Sequence, residues 1–90
     1  MNPFFDELGA LLSDTAHRRG THIERPTLDA QAAEALLDLA RVVSHTRERK
    51  FAPLACYMAG LAIAEARAAG ATFDIAAYVK EVRVALEPNP

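Results

Sequence analysis

Ninety residues make a single domain, residues 1–90, with a core that removes only about 60% of the unfolded chain's surface from water. Hydrophobic residues are 51% of the chain and the formal charge is −2, with both signs interspersed. That balance leaves no footprint for nucleic acid or for an anionic membrane. Cys56 is the sole cysteine, so no internal disulfide forms and no oxidising compartment is needed. The opening MNPFFDELGA is acidic where a signal peptide is basic, and the longest uncharged run is too short for a membrane helix of roughly 20 apolar residues. A soluble, cytoplasmic protein is expected.

In chain order, Asn2-Pro3 reads as an N-cap followed by proline in the first helical position. Phe4, Leu8, Leu11, Leu12 and Thr15 form one stripe, and Gly20 ends the segment, which predicts a helix over 3–18. Asp6 and Glu7 near its start and His17, Arg18 and Arg19 near its end complement the helix dipole. The loop GTHIERP follows, with Ile23 as its aliphatic anchor. Thr27 then caps a second helix over 28–45, whose apolar face is Leu28, Ala32, Leu36, Leu39 and Val43. Leu37 falls off that stripe.

After the charged turn TRERK, the stretch from Phe51 to Ala64 carries no charge. Pro53 opens it and Gly70 closes it, which predicts a helix over 52–69. Leu54, Tyr57, Met58 and Leu61 form a bulky ridge; Ala55, Ala59, Ala62 and Ala66 form a small one, and Cys56, Gly60 and Ala64 another. A helix apolar on nearly all sides reads as buried, the pillar of the domain. Asp74 caps a last helix over 75–87, with Phe73 and Tyr78 as a hydrophobic staple. Ile75, Val79, Val82 and Leu86 form its stripe, Val84 falls outside it, and Pro88 ends it. With no period-two alternation, the expected fold is all-α: a small antiparallel bundle of four helices around a buried third helix.

The polar candidates cluster after the second helix. Asp38, Arg41 and His45 share one helix surface, and Arg47, Arg49 and Lys50 follow near the start of the third helix. Guanidinium and ammonium groups beside free helix-start N–H groups can hold a phosphate or carboxylate. This makes Arg41, His45, Arg47, Arg49 and Lys50 a candidate anion patch. The alternative is a solvated face with an Asp38–Arg41 pair worth roughly a few tenths of a kcal/mol. His17 and His22, separated by Gly20 and with no second cysteine, do not have zinc-ligand spacing. Cys56 among apolar neighbours reads as a small core residue, not a nucleophile. No glycine-rich phosphate loop, GxSxG or HExxH stands in the sequence. No enzyme, metal or cofactor is expected.

From Leu36 to Gly60 the wording LLDLARVVSHTRERKFAPLACYMAG resembles a small bacterial domain family of unknown function. The elements that carry it are Asp38-Leu39-Ala40-Arg41, Val43, His45, Arg47, Arg49, Ala52-Pro53-Leu54 and Ala59-Gly60. Such domains stand alone or are fused behind a molybdenum cofactor guanylyltransferase-like domain. The resemblance implies an accessory role: docking, dimerisation, or steadying a cofactor-loaded partner. It also adds weight to the patch at Arg41, His45 and Arg47. The expected function is a non-enzymatic helical interaction module, associating with itself as a homodimer or with a molybdenum cofactor nucleotidyltransferase-type protein. Leu37 and Val84 are its candidate contact residues. A module binding phosphate, nucleotide or another small anion is the alternative.

Overall fold

The computed structural model describes residues 2–88. Among them are four α-helices, one 3₁₀ turn and no strand, so the fold is a small all-α bundle. The helices are α1 (Pro3–Arg18), α2 (Ala30–Thr46), α3 (Ala52–Ala68) and α4 (Ile75–Leu86), with the 3₁₀ turn at Arg49–Phe51. The chain divides into two compact units, residues 1–30 and 31–90.

The first unit is α1 with the extended segment that follows it. Asn2 caps the helix by accepting the Phe4 N–H at 2.8 Å, and Pro3 occupies the first turn, where its missing N–H costs nothing. At the other end Gly20 has φ +90°, the left-handed conformation. Thr21 N–H then bonds the Ala16 carbonyl at 2.9 Å and Gly20 N–H the His17 carbonyl at 3.0 Å, a Schellman closure. The returning segment is tied to α1 twice. Ser13 Oγ donates to the Ile23 carbonyl at 3.3 Å, and the Pro26 carbonyl lies over buried Gly9. The loop is thus anchored through Ile23's backbone, while the Ile23 side chain is exposed.

That return corrects the start of the second helix. The sequence places it at 28, capped by Thr27; the structure begins it at Ala30. Pro26, Thr27 and Leu28 line a shallow groove with Phe5, Leu8, Gly9 and Leu12. Packing on α1 therefore claims residues that local capping chemistry would have drawn into α2.

The second unit holds the core. Leu39 and Val43 of α2, Ile63 of α3 and Val79 of α4 are buried together. Ala35, Leu36, Ala55, Ala59, Ile75, Tyr78 and Leu86 pack around them. α3 ends on Gly70, again at φ +90°, with Ala71 N–H to Ala66 carbonyl at 2.9 Å and Gly70 N–H to Arg67 carbonyl at 3.0 Å. Asp74 accepts the Ala76 N–H at 3.0 Å, and the Phe73 and Tyr78 rings sit 5.1 Å apart across the start of α4. This is the expected cap and staple. α3 ends at Ala68 and α4 at Leu86, each one residue short of the range read from the sequence.

The third helix is not the buried pillar. Ile63 is its one buried residue. The small residues Ala55 and Ala59 pack against the core, while Leu54, Tyr57, Met58 and Leu61 are exposed. A helix apolar all round has no preferred side in its own periodicity. Here the bulky core side chains of α2 and α4 meet α3 on its alanine face and leave its large residues outside. Gly60, in the ridge with Cys56 and Ala64, has nothing within 4 Å of where a Cβ would stand.

Candidate interaction surface

The outward face of α3 is built by simple periodicity. Leu54, Tyr57, Met58 and Leu61 fall within about two turns on one side of the helix, and each is 46% to 68% exposed. Beside them, Ala55, Met58, Ala59 and Ala62 of α3 face Tyr78, Val82 and Leu86 of α4 across an apolar groove of about 390 Å³, with Leu39 at its floor. Met58 belongs to both features. Val82, read from the sequence as part of the core stripe, is a wall of this groove, and Val84 stands outside it at 52% exposure. Leu37 on α2 is 70% exposed, but it lines neither the groove nor the α3 ridge.

The basic residues are placed less favourably for a shared ligand. Arg41 is held by Asp38 at 3.1 Å, both partly in solvent. Arg47 turns back to the Thr46 carbonyl at 3.1 Å, and His45 is exposed in the last turn of α2. Arg49 and Lys50 border an open depression with Glu48, which Arg41, His45 and Arg47 do not line. Three successive positions at the helix start beside them offer no free N–H. Phe51 N–H bonds the Glu48 carbonyl, Ala52 N–H bonds the Arg49 carbonyl, and Pro53 has none.

Cys56 sits on the inner side of α3. Its Sγ–H points to the Leu36 carbonyl at 3.7 Å, and burial pushes the thiol pKa up. A thiol held protonated is a poor nucleophile. Among the described residues no group of three or more His, Cys, Asp or Glu side chains is arranged to hold a metal. None of the described helices is long and apolar enough to cross a membrane.

One polar recess escaped the sequence reading. Glu34 and Asp38 on α2 face Lys80 and Arg83 on α4 across a depression of about 350 Å³. The i, i+4 carboxylates and i, i+3 cations were its only sequence signal. Asp38 is engaged by Arg41 and Arg83 by Glu87, so two of the four charges are already met.

A family model described as "Domain of unknown function (DUF6457)" matches residues 2–88. The chain belongs to the DUF6457 family. No curated protein and no solved structure matches it. The DUF6457 match covers both compact units and the whole outward face of α3.

Proposed function

We propose that this DUF6457 domain is a non-enzymatic accessory module that docks a helix on the outward face of α3. The observation that supports this reading is the inversion of α3, small residues inward and Leu54, Tyr57, Met58 and Leu61 outward. Burying a large apolar side chain is worth about 1.5–3 kcal/mol, so four partly exposed ones in a row are a standing source of binding energy. Contiguous exposed apolar surface of this kind marks protein interaction sites. The groove between α3 and α4 offers a recess for an anchoring side chain. The resemblance of Leu36–Gly60 extends the reading to the partner: a molybdenum cofactor nucleotidyltransferase-type protein, or another copy of the domain.

The test is methyl NMR of the intact chain, titrated with itself and with a purified molybdenum cofactor guanylyltransferase-type protein. Shifts centred on Leu54, Met58 and Leu61 are expected in at least one titration. Silence of these methyls in both would overturn the docking reading.

The alternative of phosphate or nucleotide at Arg41, His45, Arg47, Arg49 and Lys50 draws support from Arg49 and Lys50 at the lip of their depression. It requires thermal stabilisation by pyrophosphate or GTP that Arg49→Ala with Lys50→Ala removes. A melting temperature indifferent to both anions would exclude it.

A further inference from the structure

The geometry points to a second copy of this chain as the occupant of the α3 face, docked with its own α3 antiparallel across a two-fold axis between Tyr57 and Met58. This rests on the docking reading above and adds the partner's identity and register.

The argument starts from the spacing. The exposed residues Lys50, Leu54, Tyr57, Met58, Leu61 and Glu65 are separated by four, three, one, three and four positions, the same in either direction along the helix. At about 100° per residue Leu54, Tyr57, Met58, Leu61 and Glu65 of α3 lie on one side, away from the core positions Ala55, Ala59 and Ile63, and Lys50 precedes them in the 3₁₀ turn. A two-fold interface is isologous, so the patch must be complementary to itself. Two antiparallel copies centred between Tyr57 and Met58 set Leu54 against the partner's Leu61 and Tyr57 against the partner's Met58. A leucine pair and an aromatic–thioether contact result, both favourable.

The ends of the ridge decide the direction. Lys50 stands at one end and Glu65 at the other, both exposed, and among the described residues the ion pairs of the second unit, Asp38–Arg41 and Arg83–Glu87, involve neither. Antiparallel pairing brings each Lys50 to the partner's Glu65, twice per dimer. Parallel pairing would set lysine against lysine and glutamate against glutamate, a repulsion that costs register and specificity. Between them the run from Phe51 to Ala64 is free of charge, so nothing ionic is desolvated along the seam.

Size sets the strength. Eight large side chains across the pair make a small interface, at or below the lower end of specific ones, about 1,200 Å² in total, so the experiment must reach high protein concentration.

The deciding experiment is sedimentation equilibrium of the full chain from about 1 µM to 1 mM at low salt, with circular dichroism and melting of each variant to show that it folds. The wild type is expected to dimerise with concentration. Leu54→Glu and Leu61→Glu change side chains already exposed; each should weaken association by about tenfold or more with little change in the melting of the monomer. Lys50→Glu and Glu65→Lys should each weaken it severalfold, and the double reversal K50E/E65K should restore it, because only antiparallel pairing places these two positions together. A chain monomeric up to 1 mM overturns the inference. So does a dimer indifferent to Leu61→Glu, or reversals that do not rescue one another. A monomer whose α3 methyls still shift on adding the nucleotidyltransferase-type protein overturns self-pairing alone; one whose methyls stay silent overturns the docking reading with it.

Discussion

A methyl group at position 9 would stand inside 3.0 Å of the Pro26 carbonyl oxygen and 3.1 Å from Arg25 Cγ. The oxygen belongs to backbone and cannot swing away. Alanine in a helix interior gains about 1 kcal/mol over glycine, while forcing a packed segment apart costs about 1–3 kcal/mol. Gly9→Ala is therefore expected to lower stability by up to about 2 kcal/mol in urea unfolding and to expose residues 23–28 to proteolysis. A variant more stable than the wild type would show that the segment does not rest on α1. At Cys56 the expectation is chemical. With the thiol pKa raised by burial, alkylation should be slower than for a free cysteine at neutral pH and should rise only at higher pH. The linked stability is fully present below the unfolded thiol's pKa and is lost as pH climbs through the folded one. Rapid labelling near pH 7 would contradict the burial of this side chain.

At the scale of the element, one substitution separates three glycines. Gly20 and Gly70 hold φ +90°, where an L side chain costs about 1 kcal/mol or more. Gly60 is helical with open space around its Cβ position. Alanine should thus destabilise by about 1 kcal/mol at 20 or 70 and stabilise by about 0.5–1 kcal/mol at 60, read from melting temperatures in the monomer range. Destabilisation at 60 would reveal a close neighbour there. The caps that these experiments probe were legible in the sequence because their chemistry is local: Asn2 to Phe4 N–H, Asp74 to Ala76 N–H, Phe73 against Tyr78. The start of α2 was not, since Pro26–Leu28 are claimed by a helix about twenty residues away. The orientation of α3 was hidden for a different reason. Where every side of a helix is apolar, periodicity marks no inside, and volume matching with α2 and α4 decides it. The Asp38–Arg41 pair was visible from its spacing; that Arg49 and Lys50 line a separate depression was not.

Across the whole molecule the burial is uneven. Among the described residues Gly9 is the buried position of the first unit, whereas the second unit buries Leu39, Val43, Ile63 and Val79 as one cluster. Hydrogen exchange should accordingly show the amides of α1 opening at lower free energy than those of α2 to α4 near Leu39 and Val79. Equal protection throughout would mean that the chain opens as one unit. Leu39→Ala, at 1% exposure, should cost about 2–5 kcal/mol, and Leu37→Ala two positions away should stay within about 0.5 kcal/mol. Comparable losses at both would place a neighbour over Leu37.

The inverted third helix also bears on supply. A chain that displays a ridge about 20 Å long without charge, on a molecule of net charge −2 and pI 5.9, has little electrostatic repulsion to keep strangers off. Left uncovered, the ridge offers chaperones and proteases the same handle that it offers a partner. On the docking reading, chains made in excess of whatever covers α3 keep that face open, and they are the fraction expected to be degraded first.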